Sequence, residues 1–304
     1  MTQYGAKWDR RSDRGAPAGR IAYVNGRYLP HGEASVHIED RALQLGDGIY
    51  EVTNVLGGVP LDEEAHLDRM ERSLRELGMV MPMARAALKL VMREMIARNR
   101  IADGLLYLQV TRGAAKRDHV PPANPPRPTL ILTMRAQDLT ALARRMEKGI
   151  AVATQPDIRW GRRDIKTVQL LPNLMAKQAA KAAGAFEAWL VDDDGYVTEG
   201  ASTNAWIVNG EGTIITRDLS HAILPGVTRR IMLEAMSEAQ IKVVERKFTI
   251  AEALTAREAF ISSATGAAVP VVTIDGKTVG EGVPGPLTRR IHALYAAKTG
   301  PKSA

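Results

Sequence analysis

The chain contains no cysteine. Disulfides, thiolate nucleophiles and cysteine-ligated metals are therefore excluded. A reducing, cytoplasmic setting is the simplest expectation. No apolar run approaches the roughly 18 residues that cross a bilayer, so no transmembrane helix is expected. The first residues, MTQYGAKWDRRSDRGAPAGR, lack the apolar stretch of a secretory signal and read as a disordered leader, residues 1–20. A phosphate loop of the form G-x-x-x-x-G-K-[ST] is missing, as is the nucleophile elbow G-x-S-x-G. The histidines, His31, His37, His66, His119, His221 and His292, are dispersed with no H-x-x-x-H pair. Hydrolase and metalloenzyme chemistry lose support accordingly.

Charge of one sign is in excess: 41 Lys and Arg face 34 Asp and Glu, a net of +7. Such a surplus fits nucleic acid, an enzyme that binds anions, or nothing specific. The basic residues are scattered, and only three Phe are available to stack on bases. Nucleic acid is therefore not expected as a partner, nor is a membrane.

Along the chain, RIAYVNGRYLP places apolar residues on both sides of Asn25-Gly26, a pair that accepts the positive φ of a type I′ turn and predicts a hairpin. ALQLGDGIYEVTNVLGGVPL continues with strand-forming residues and a turn at Gly57-Gly58. In DEEAHLDRMERSLRELGM, Leu67, Met70, Leu74 and Leu77 recur at helical spacing. A second helix is read in MARAALKLVMREMIARN. The strands GLLYLQVTRG and RPTLILTMRA follow, separated by the proline-rich AAKRDHVPPANPP. RAQDLTALARRMEKG reads as a connector. Beyond it come a strand (IAVATQPDI), a helix (NLMAKQAAKAAGA), several strands with Asp-Gly and Asn-Gly turns, a helix from PGVTRRIMLEAMSEA, a strand–loop–strand in REAFISSATGAAVPVVTIDG, and a final helix. The pattern is α+β with two domains. A small N-terminal α+β domain is expected over 21–136, a linker over 137–142 and a larger domain over 143–304.

Lys166 stands out. It sits between Ile165 and a run containing Val168, Leu170 and Leu171, so its ammonium is either led out to water or held for chemistry. Small hydroxyl and glycine residues crowd four junctions: LGDGIYE, TEGASTN, LPGVT and SSATG. Pro225-Gly226-Val227-Thr228 opens a helix, where N–H groups and a hydroxyl attract anions. Capping and turn chemistry explain any one of these alone. Together with Lys166, Glu199 and Arg69 they suggest pyridoxal 5'-phosphate, which needs a lysine, a phosphate cradle and often an acid beside its ring nitrogen.

The stretches EDRALQLGDGIYEV, HLDRM, YLQVTRG, DIRWGRRDIKTVQLL, TEGASTN and LPGVTR, in that order, resemble the fold-type-IV pyridoxal-phosphate aminotransferases. The likeness is strongest to the bacterial D-amino-acid aminotransferases and spans about Ile21 to Leu287. It implies a two-domain α+β fold whose larger domain carries a β-barrel-like sheet, and it implies a homodimer. Lys166 is implied as the Schiff-base lysine and proton carrier, Glu199 as the partner of the ring nitrogen, and Arg69 as the phosphate clamp. Ser202, Thr203, Val227 and Thr228 are implied as further cofactor contacts, with Leu224 on a ring face. The family's threonine in the SSATG loop is replaced here by Ala264, leaving Thr265 or the Ala264 N–H to serve. Tyr50, Arg117 and His119 match a trap for the substrate carboxylate, the last two reaching the partner subunit's site. The implied reaction moves an amino group from a D-amino acid, D-alanine favoured, to 2-oxoglutarate. Branched-chain L-amino-acid and (R)-amine transaminases of the same fold are the alternatives. A p-aminobenzoate-forming lyase of that class is a further one.

Overall fold

The computed structural model describes residues 19–300, so all but the end of the expected leader lies outside the described residues. The first half comprises strands β1 (Ile21–Val24) and β2 (Arg27–Pro30), a short helix α1 (Arg41–Leu45), strands β3 (Gly48–Leu56) and β4 (Val59–Pro60), helices α2 (Glu63–Glu76) and α3 (Arg85–Asn99), and strands β5 (Gly104–Thr111) and β6 (Thr129–Ala136). Its strands form one six-stranded sheet ordered β2-β1-β6-β5-β3-β4. The β1–β2 turn is the expected one: Asn25 and Gly26 have φ of 48° and 93°, and Val24 pairs with Arg27. On α2, Leu67, Met70 and Leu74 are buried against this sheet with Leu88, Met92 and Met95 of α3. That is the helical stripe expected from the spacing.

The second half begins with α4 (Leu139–Lys148) and β7 (Ile150–Pro156). It continues through α5 (Leu171–Ala182), β8 (Glu187–Val191), β9 (Val197–Gly200), β10 (Asn204–Val208), β11 (Ile214–Thr216), α6 (Val227–Glu238), β12 (Val243–Glu245), α7 (Ile250–Leu254), β13 (Glu258–Ser263), β14 (Ala267–Ile274), β15 (Lys277–Thr278) and α8 (Pro286–Thr299). The strands form a mixed sheet, β12-β11-β10-β13-β14-β7-β8-β9, with β15 on β14. It curls until β9 returns beside β10, giving a half-barrel. Alternation explains its two cores. On β10, Ala205 and Ile207 point into the barrel cluster, while Trp206 and Val208 pack under α6 and α8. With both faces covered, every residue of β10 is buried.

Two expectations need correcting. Arg41–Leu45 is a helical turn rather than strand: Asp40 accepts the Ala42 N–H at 3.0 Å, and Gly46 ends it at φ 71°. The segment read as a connector is largely α4, capped by Asp138, whose Leu142 and Met146 pack on the barrel cluster. Those two side chains lie four positions apart, about one helical turn, a periodicity that marks a helix.

Candidate active site

A cavity of about 800 Å³ opens between the two sheets. Its wall combines the end of α1 and the start of β3, α2, the segment between β7 and α5, the β9–β10 turn, the N-terminus of α6 and the SSATG loop. Lys166 lies on that wall. Its backbone is tied to β3: the Tyr50 N–H donates to the Lys166 carbonyl at 3.0 Å, and Thr167 bridges Ile49. Its Nζ stands 4.2 Å from the centre of the Tyr50 ring. The amine is thus held over an aromatic face inside a cavity, not extended to bulk water. Of its neighbours in the chain, Ile165 and Thr167 are buried, whereas Leu171 is exposed.

The cavity wall carries Arg69, Arg135, Arg159, Arg163 and Lys166 against a single carboxylate, Glu199. That balance suits an anionic ligand. Glu199 is buried on β9. Arg159 donates to it at 2.5 Å, Asn204 Nδ2 at 3.0 Å and the Leu224 N–H at 3.1 Å. Burial nevertheless pushes the Glu199 carboxyl above the ordinary carboxylate range, with Arg159 pulling the other way. Asp157 in turn orients Arg159, accepting at 2.8 Å from one guanidinium nitrogen and at 2.9 Å from another, and the Thr198 hydroxyl holds Asp157 at 2.7 Å.

Arg69 is buried although its helix is rich in charge. The cause is Glu51 on β3, which accepts from Arg69 Nε and Nη2 at 2.8 and 2.7 Å and faces His66 Nδ1 at 2.8 Å. Arg69 and His66 hold the Glu51 carboxyl at about 2 although burial raises it. One further Arg69 nitrogen reaches the Pro225 carbonyl at 3.2 Å, next to the α6 N-terminus. There Val227 and Thr228 are buried, and the Thr228 hydroxyl, like that of Thr203 in the β9–β10 turn, is buried with no hydrogen-bond partner among the described residues. Gly226 permits this turn because a Cβ would strike Asn204 Oδ1.

These features meet the demands of pyridoxal phosphate: an amine on the wall, a buried carboxylate, and a guanidinium beside a helix N-terminus with two unused hydroxyls. Ser202, Leu224, Ala264 and Thr265 also line the cavity. The Ser202 hydroxyl donates to Glu187 at 2.7 Å, and Thr265 Oγ1 lies 3.1 Å from Ser263 Oγ. Arg117 and His119 are elsewhere: both are exposed on the β5–β6 loop and neither lines this cavity.

Residues 48–274 match the model of the amino-transferase class IV family. This chain belongs to the class IV aminotransferases. The aminotransferase is 40% identical to a D-alanine aminotransferase of Bacillus licheniformis over 88% of this chain and 93% of that one. It is 36% identical to a D-alanine aminotransferase of Listeria innocua over 90% and 93%. Its fold is similar to that of the branched-chain amino acid aminotransferase of Escherichia coli, with a TM-score of 0.85 at 24% identity over 94% and 96% of the two chains. A hypothetical aminotransferase of Mycobacterium tuberculosis, solved in its PLP-bound form, gives 0.79 at 22% over 91% and 98%.

The site of the aminotransferase holds residues that sequence reasoning had not singled out: Glu51, His66, Asp157, Arg159 and Asn204. Glu51 had a signal. It is a carboxylate in the buried register of a strand, flanked by Ile49 and Val55, and such a group requires a partner.

Proposed function

We propose that this aminotransferase binds pyridoxal 5'-phosphate at Lys166 and transfers the amino group of a D-amino acid, D-alanine favoured, to 2-oxoglutarate, giving pyruvate and D-glutamate. The observation that carries the reading is the Lys166 amine held over Tyr50 in a cationic cavity whose one carboxylate is Glu199. The 40% identity to a D-alanine aminotransferase supports the substrate class.

When bound, the cofactor supplies a ring that accepts the electron pair left as the substrate Cα–H bond breaks. Lys166 Nζ would take the proton from the substrate Cα and carry it towards the cofactor. Glu199 would hold a proton on the ring nitrogen, and Arg159 and Asn204 fix the carboxylate's angle. Arg69, the Val227 N–H and the Thr228 hydroxyl grip the phosphate, with Thr203, Ser202, Ala264 and Thr265 beside them. Leu224, on the cavity wall, would pack on the ring. Tyr50 donates its hydroxyl to the substrate carboxylate.

We further propose a homodimer, in which Arg117 and His119 complete the partner subunit's cavity. Their exposure and their distance from their own cavity are what such a role requires. The boundaries at 21–136 and 143–304 are proposed as the two domains, and the cytoplasm as the compartment. Among the described residues no helix is long and apolar enough to cross a membrane.

The test is a coupled assay. Pyruvate should appear from D-alanine and 2-oxoglutarate, with D-glutamate as the chiral product. Turnover of L-leucine with none of D-alanine would make this a branched-chain enzyme instead.

A further inference from the structure

The loop that carries Arg117 and His119 runs from Arg112 to Pro128, between β5 and β6. It contains Pro121, Pro122, Pro125, Pro126 and Pro128, which donate no backbone hydrogen bonds. A loop of this length inside a compact fold needs something to define its shape. Its start is pinned to the segment around α1. Arg112 N–H donates to the Asp47 carbonyl at 3.1 Å, Ala115 N–H to that of Glu39 at 3.2 Å, and the Gly113 carbonyl accepts the Arg41 N–H at 2.9 Å.

From Lys116 to Val120 only one side chain outside the loop takes over among the described residues. Arg41 Nη1 donates to the Asp118 carbonyl at 2.7 Å and Nη2 to the His119 carbonyl at 3.3 Å. Arg41 is itself buried, 3% exposed, on a helix of a single turn. Its Nε donates to Asp47 at 2.8 Å, and Arg112 Nε donates to the same oxygen at 2.7 Å. Arg112 is fixed in turn by the Leu77 carbonyl at 2.8 Å. The guanidinium is planar, so anchoring one edge on Asp47 sets the direction of the other. Two successive carbonyls are drawn inward, while the side chains of Arg117, Asp118 and His119 stay exposed.

We infer that Arg41 is a positioning residue for the carboxylate trap: it fixes the backbone of Asp118 and His119 so that Arg117 and His119 are presented to the neighbouring subunit. This rests on the proposal above that those two side chains bind the substrate carboxylate across a dimer. Arg41 touches no substrate. It acts through the loop, and α1 leads by way of Gly46 into the strand that bears Tyr50. One short segment therefore sets the trap residue of its own cavity and the two lent to its neighbour.

Arg41→Lys keeps a cation beside Asp47 but reaches at most one carbonyl. In the holoenzyme it should raise KM for D-alanine about tenfold and change kcat by less than about threefold. Visible cofactor absorbance should be retained. Arg117→Ala should raise KM at least as much, and adding Arg41→Lys to an Arg117→Ala/His119→Ala variant should raise KM no further, because Arg41 acts only through those two side chains. An unchanged KM in Arg41→Lys, with a raised KM in Arg117→Ala, overturns the role of Arg41 and leaves the trap standing. An unchanged KM in Arg117→Ala removes the trap and this inference with it. A further rise in KM when Arg41→Lys is added to the Arg117→Ala/His119→Ala variant would assign Arg41 a general structural role and overturn the inference. If Arg41→Lys does not fold, Asp47→Ala removes the oxygen that anchors the guanidinium and must show the same KM shift, or the inference falls.

Discussion

At the scale of the residue, the site is organised by two carboxylates in opposite electrostatic situations. Glu199 is pushed up by burial, Glu51 held down by Arg69 and His66. On the proposed reading Glu199 would face the ring nitrogen, so Glu199→Gln should lower kcat by about a hundredfold or more, with the protein still binding cofactor. Steady-state kinetics with cofactor in excess checks this. Glu51 lies near 4.5 when free and at about 2 in the fold. Its contribution is therefore complete above pH 4.5 and is lost as pH falls through that window towards 2. The shift corresponds to on the order of 3 kcal/mol. In Glu51→Gln, stability should be lower at neutral pH, and the part of the acid limb between those values should flatten. Chemical denaturation at a series of pH values reads both.

At the scale of the element, the N-terminus of α6 is a tightly constrained junction. Gly226 has an ordinary φ of −61°, so space rather than backbone conformation demands glycine there. Gly226→Ala would drive a methyl group onto Asn204, which donates both to Glu199 at 3.0 Å and to the Leu224 carbonyl at 3.1 Å. We expect a loss of about 1–3 kcal/mol in stability and weaker cofactor retention, measured by thermal melting and by titrating the apo-protein. Helix α8 offers a contrast away from the site. Glu258 accepts the Leu287 and Thr288 N–H groups at 3.0 and 2.8 Å. Glu258→Ala should cost about 1–2 kcal/mol without altering KM.

These elements also mark what was legible in the sequence. Asn25-Gly26, the α2 stripe and the Pro-Gly entry to α6 depend on neighbours in the chain, and each stands where local chemistry put it. Lys166 and Glu199 were singled out from their motifs, and both lie on the cavity wall. The buried state of Arg69 was not, because its partner Glu51 lies 18 positions away on another element. Arg159 and Glu199 are separated by 40 positions. Such pairs exist only after the sheets form, and local periodicity carries no record of them. Helix α4 was missed for a different reason: its apolar side is narrow, and none of its residues is fully buried.

At the scale of the whole molecule, the chain builds a cavity between two sheets and sends a loop away from it. Tyr295 on α8 ties the halves, donating to Asp62 at the start of α2 at 2.7 Å. If the loop completes a neighbour's cavity, one defective subunit can rescue another. Lys166→Ala and Arg117→Ala proteins, each impaired alone, should regain activity when mixed under conditions that exchange subunits. One intact cavity then forms per hybrid dimer. No recovery, with exchange verified, would place Arg117 outside the neighbour's site.

The most direct measurement is the visible spectrum of the purified protein near neutral pH, recorded before and after D-alanine and, separately, L-leucine. A lysine-bound cofactor band should be present, should be lost in Lys166→Ala, and should fall on adding D-alanine but not L-leucine. A colourless protein that takes up no pyridoxal phosphate, or a band that only L-leucine discharges, would contradict a D-amino-acid transaminase built around Lys166.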